Sequence, residues 1–129
     1  MRSYRKITAV KMAPEGDLEA SSEDDFGAGM LIRREGEYVA LSFYSGAVEL
    51  LLRLKAGDLL RVLGHLLPSD QERSARSVGT SHTTLWLTLH SDGTLAIRPT
   101  LTTDAAGSIS LNFELAVPVR EALNNWLKE

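Results

Sequence analysis

The chain has 129 residues, 43% of them hydrophobic, which suits a single domain with a real core. It has no Cys, so disulfide frameworks, thiolate chemistry and Cys-based zinc sites are excluded. A formal net charge of -3 argues against a surface that attracts polyanions everywhere, so any nucleic-acid site has to be a local patch of Lys and Arg.

Met1 to Lys6 carries the charge of a signal n-region, but Lys11 interrupts Ile7 to Val10 before an apolar segment develops. The apolar run from Leu50 to Leu67 is broken by Arg53, Lys55, Asp58, Arg61 and His65, far short of a membrane span. A cytoplasmic protein with no membrane segment is expected. Tyr4 to Met12 alternates as a first strand. Pro14 to Gly27 holds Glu15, Asp17, Glu19, Glu23 and Asp24 ahead of Asp25 and reads as an acidic, solvated loop. Gly29 to Arg34 and Glu37 to Tyr44 predict a hairpin about Glu35 and Gly36, and Ser45-Gly46 turns the chain into Val48 to Leu54. Alternation puts Val39, Leu41 and Phe43 in the core and Tyr38, Ala40, Ser42 and Tyr44 on the other face. Asp58 complements the start of a helix striped by Leu59, Val62, Leu63, Leu66 and Leu67, which Pro68 ends. Ser69 to Ser81 is polar and aperiodic, a linker.

The second half repeats the plan. Leu85, Leu87 and Leu89 alternate with Thr84, Trp86, Thr88 and His90, and Ser91-Asp92-Gly93 makes the turn. The next strand runs from Leu95 to about Thr100, and Pro99 should end it, bulge it or place it at an edge. Thr102 to Gly107 reads as a loop, and Ile109, Leu111, Phe113 and Leu115 as one alternating strand. Pro118 opens a last helix whose stripe is Val119, Ala122, Leu123, Trp126 and Leu127, with Trp126 expected to be buried. The expected fold is α+β: a duplicated β-β-β-β-α unit, its antiparallel sheets packed on two helices, in one domain over 1–129 with repeats at about 1–68 and 80–129.

Four strands closed by a helix, twice over, resembles the whirly-type fold, related to the positive-cofactor-four transcriptional coactivators and the plant whirly proteins. Leu87 to Gly93, then Leu115 to Val119, and the closing Trp126 look like the second half of a whirly domain in kind and order. The resemblance implies subunits assembled through their helices, sheets radiating outward and single-stranded nucleic acid across the exposed faces and edges. The basic Lys-Gly-Lys-Ala-Ala-Leu segment typical of plant whirlies is missing, and the nearest strand is Gly29 to Arg34. Phe43 to Gly46 and Asp58 to Leu60, with Gly64 and Pro68 following, also look like patterns of the SsgA-like sporulation and cell-division proteins of actinobacteria, which share this fold and act through protein partners.

If helices cover one sheet face, the other presents Tyr38, Ser42, Tyr44, Thr84, Trp86, Thr88 and His90, with Arg33, Arg53 and Arg98 on neighbouring strands. Aromatics interleaved with cations suit single strands, because bases stack and phosphates need neutralising. Trp86, Tyr38 and Tyr44 are then the stacking candidates, and Arg33, Arg53 and Arg98 the phosphate partners. The same aromatics could instead pack under a loop or in a subunit contact. His65, His82 and His90 show no ligand spacing, and no nucleophile elbow, phosphate loop or dinucleotide fingerprint occurs. No catalytic residue, metal or cofactor is expected. The function expected is a non-enzymatic single-stranded DNA or RNA-binding module of the kind used in transcription or nucleic-acid maintenance, forming homo-oligomers. The alternative is a protein-protein adaptor or scaffold of SsgA-like kind, acting through the sheet face and the acidic loop, with the negative net charge in its support.

Overall fold

The computed structural model describes residues 4–23, 27–69, 75–80, 82–103 and 107–129. Its strands are β1 (Arg5–Ile7), β2 (Ala9–Met12), β3 (Leu18–Ser21), β4 (Ala28–Glu35), β5 (Tyr38–Ser45) and β6 (Val48–Lys55), then β7 (Arg76–Gly79), β8 (Thr83–Leu89), β9 (Leu95–Thr103), β10 (Gly107–Ser110) and β11 (Phe113–Leu115). Helix α1 (Ala56–His65) follows β6, and α2 (Val117–Lys128) follows β11. The class is α+β. Among the described residues one sheet has five strands in the order β2-β3-β4-β5-β6, and the other has six, β1-β11-β9-β8-β7 with β10 also on β9.

The first predicted strand is broken at Thr8, and the break sends the chain from one sheet to the other. Ile7 accepts a hydrogen bond from Ala116 N–H in the six-stranded sheet, while Thr8 N–H donates to Ser21 in the five-stranded one. β1 therefore runs parallel to β11, and β2 antiparallel to β3. The stretch read as an acidic loop contains β3, where Leu18 and Ala20 are buried and Glu19 and Ser21 face out. Flanking carboxylates hide that short alternation. The stretch read as a linker likewise contains β7, anchored by buried Val78. Six described strands thus precede α1 and five precede α2, where four and four are expected.

β9 runs straight through Pro99 in the interior of its sheet, opposite Leu85. Pro99 accepts from Leu111 N–H, so its missing donor also points toward Leu111-Asn112, the gap between β10 and β11. The single strand expected over Ile109 to Leu115 is split there, leaving Ile109 57% exposed while Phe113 and Leu115 are buried.

The two sheets and both helices share one core. Val39, Leu41, Phe43 and Leu52 of one sheet and Leu87, Ile97, Phe113 and Leu115 of the other belong to one buried core, in which the Phe43 and Phe113 rings meet at 5.7 Å between centroids. Burying each such side chain is worth about 1.5–3 kcal/mol. The helices contact one another, α1 also lies against β6 and β7, and α2 against β2 and β3. Each helix thus lies against strands, and the two sheets also meet one another through the Phe43 and Phe113 rings. In the α1 stripe only Leu59 is buried, with Val62, Leu63 and Leu66 half-buried and Leu67, past the helix end, 79% exposed. In α2, Val119, Leu123, Trp126 and Leu127 are buried as the spacing predicts. Among the described residues no helix is long and apolar enough to cross a membrane.

Candidate functional site

Strand alternation gives each sheet an inner face in the core and an outer face turned away from it. Arg33, Tyr38, Tyr44 and Arg53 stand on the outer face of the five-stranded sheet, carried by β4, β5 and β6. Trp86 and Arg98 stand on the outer face of the six-stranded sheet, directly opposite one another on β8 and β9. Because the two sheets meet through their inner faces, these outer faces lie on opposite sides of the molecule. The six residues expected on one continuous surface are divided four and two. All six side chains stand on the outer sides of their strands, and the sheet packing separates them.

On the five-stranded sheet Arg33, Arg53 and Lys11 have carboxylate partners. Arg33 donates from Nε and Nη2 to the same Asp17 oxygen, at 3.0 and 2.9 Å. The Asp17 side chain is buried, and its hydrogen bond, then its charge, raises the Arg33 guanidinium above its ordinary pKa. Arg53 reaches across β5 to Glu35 at 2.8 Å, with its guanidinium 5.0 Å from the Tyr38 ring centroid. Lys11 pairs with Glu19 at 3.4 Å, and Ser42 Oγ donates to Glu49 at 2.5 Å. With Lys55, four cations and four carboxylates share this outer face, so it is electrically balanced. Between the ion pairs runs a row of Leu31, Ser42 and Leu51, in which Leu51 is 64% exposed.

Tyr44 has a structural task. It sits opposite Gly29, and its ring occupies the space where a side chain on Gly29 would be. A depression of about 540 Å3 beside it is lined by Lys11, Glu19, Leu31 and Tyr44. On the other sheet Arg98 lies over Trp86, 5.6 Å from its ring centroid, among Ser77, Thr84, Thr88 and Thr100 on the same outward side. Trp86 is half-buried.

No protein-family model matches this chain, and no curated protein matches it in sequence. The chemistry of the two faces is therefore read from their own residues. His65 and His82 turn Nδ1 toward the carbonyls of Arg61 and Thr102, at 2.7 and 3.2 Å. Among the described residues no three His, Asp or Glu side chains gather as metal ligands.

The residues that sequence reasoning missed are the carboxylates Asp17, Glu19, Glu35 and Glu49. Asp17 was hidden in the acidic stretch, although Leu18-Glu19-Ala20-Ser21 after it alternates and would have marked Asp17 as the entry to a strand. Continuing the β3–β4 register then places it opposite Arg33.

Proposed function

We propose that this protein is a non-enzymatic adaptor that binds another protein across the outer face of β2 to β6. The observation that carries the reading is the pairing of Arg33 with Asp17, Arg53 with Glu35 and Lys11 with Glu19. A phosphate chain would have to compete with carboxylates already in place, and its binding energy comes from cations it can neutralise. A protein surface meets no such obstacle: interleaved charges, the exposed Leu51 and the half-buried Leu31 and Tyr38 supply polar register and apolar contact. Counting Arg5 to Met12 as one bent strand and Gly107 to Leu115 as another gives five strands, a helix, four strands and a helix. That order supports a whirly-like reading of the fold, and the adaptor role follows its SsgA-like branch.

The single-stranded nucleic-acid reading is the second one, and a specific feature favours it: the Trp86–Arg98 stack on a hydroxyl-rich face. Stacking and guanidinium contacts serve single strands wherever they occur together.

A photo-crosslinking residue at position 31, compared with one at position 88, tests the choice. Nuclease-resistant crosslinking to one protein from position 31 alone, abolished by Tyr38→Ala, supports the adaptor. Salt-sensitive fluorescence anisotropy with a mixed-sequence DNA or RNA single strand, lost in Trp86→Ala, reverses the ranking.

A further inference from the structure

Strand β6 lies at the edge of the five-stranded sheet, and no described strand pairs with its outer side. The hairpin before it sets which backbone groups face that side. Gly46, at φ 62°, opens a two-residue turn that pairs Ser45 with Val48, and Ala56 N–H donating to Glu37 continues the ladder at its far end. Hydrogen-bonded pairs alternate along an antiparallel ladder, so Val48, Leu50, Leu52 and Leu54 bond to β5. The N–H and C=O groups of Glu49, Leu51 and Arg53 therefore point outward. Such an edge is a template for another strand unless something blunts it.

The side chains on this edge complement themselves. Laid antiparallel on a second β6 about a two-fold axis at Leu51, the strand places Leu51 against its mate, Glu49 against Arg53 and Arg53 against Glu49. The same register puts Leu50 opposite Leu52 and Val48 opposite Leu54 on the inner side, and covers Leu51 and Val48, which are 64% and 44% exposed. Hydrogen bonding agrees with the side chains, because Glu49, Leu51 and Arg53 are the residues with outward backbone groups. A slip of one residue would oppose outward groups to inward ones and turn every side chain to the wrong face.

We infer that a second copy of this chain docks along β6, antiparallel and centred on Leu51, joining two five-stranded sheets into one of ten strands. Charge complementarity at Glu49 and Arg53 selects the occupant: the edge is self-matched. This does not rest on the adaptor reading, since it needs only the backbone and side chains of β6.

Analytical ultracentrifugation of the full chain over a concentration series, with charge variants, tests it. Wild type should show a monomer–dimer equilibrium. Glu49→Arg alone and Arg53→Glu alone each set like charges opposite one another and should raise the dimer dissociation constant at least about tenfold. Mixing the two variants should restore association as a heterodimer, since every cation then meets a carboxylate. Amide hydrogen exchange provides a readout without variants: Glu49, Leu51 and Arg53 should gain protection as concentration rises, while Leu50 and Leu52 do not change. A wild-type chain that stays monomeric, variants that associate as well as wild type, a mixture that does not re-associate, or exchange at Leu51 independent of concentration would each overturn the inference.

Discussion

Arg34 grips Trp126 from two directions. Its guanidinium lies 4.8 Å from the indole centroid and donates to the Trp126 carbonyl at 2.9 Å, with a longer bond to Leu127 at 3.4 Å. The indole N–H in turn donates to the Gly16 carbonyl at 2.8 Å. One β4 residue thus adds side-chain donors to the Trp126 and Leu127 carbonyls at the end of α2, the first of which also accepts from Glu129 N–H, and complements the helix dipole there, while Trp126 ties the helix to the turn before β3.

Arg34→Ala should destabilise the fold by about 1–3 kcal/mol in urea denaturation, the range for a charged hydrogen bond plus a cation–π contact. Arg34→Lys should recover only part, since an ammonium has no planar fork to stack and bond at once. Trp126→Phe should cost about 1 kcal/mol or more through the bond to Gly16. Equal stability of all three variants with wild type would mean that the grip contributes nothing.

Arg33→Ala leaves the buried Asp17 carboxylate without its guanidinium and should lower the urea midpoint of unfolding. The Arg33 side chain is itself 57% exposed, so solvent screens the pair. A double-mutant cycle with Asp17→Asn is accordingly expected to give a small favourable coupling. A coupling of opposite sign would show that the pair opposes folding.

Acid sensitivity should have a component at the β8–β9 turn. Thr94 donates to Asp92 Oδ1 from its hydroxyl at 2.7 Å and from its N–H at 3.0 Å, and these bonds, the hydroxyl's first, hold the carboxyl below the ordinary carboxylate range. A pKa lowered in the fold contributes stability that is full above the ordinary value and fades as pH falls through the lowered one. Thr94→Val should raise the Asp92 pKa measured by NMR, and its deficit in urea midpoint should be larger at pH 7 than near about pH 3. A deficit that grows on acidification would contradict this sign.

Gly29→Ala should destabilise strongly. The new methyl would run into the Tyr44 ring and come within 2.7 Å of the Ala20 carbonyl. Removing the ring with Tyr44→Ala should rescue only part of the loss, because the Ala20 backbone cannot withdraw; full rescue in thermal melts would show that only the ring matters.

Much of the fold was legible. The hairpin about Gly36, the turns at Gly46 and Gly93, the β8 alternation and the buried Trp126 follow from period and turn chemistry, which act over a few residues. β3 and β7 escaped because four residues give too little alternation to stand out beside carboxylates or polar neighbours. The candidate site was legible residue by residue but not as a surface. Parity assigned Tyr38 and Trp86 to the outer sides of their strands, with Arg53 and Arg98 expected on strands beside them, but the stacking of Arg53 on Tyr38 and of Arg98 on Trp86 depends on register.

By itself the sequence determined which residues alternate, where the chain turns and which stripes want burial, since these depend on side-chain chemistry at fixed local spacing. Only the tertiary structure decided that Trp86 and Arg33 face opposite ways, that Asp17 meets Arg33, and that β6 is left at an edge. Those outcomes depend on strand register and on how one sheet lies over the other, and both arise from contacts between residues far apart in the chain.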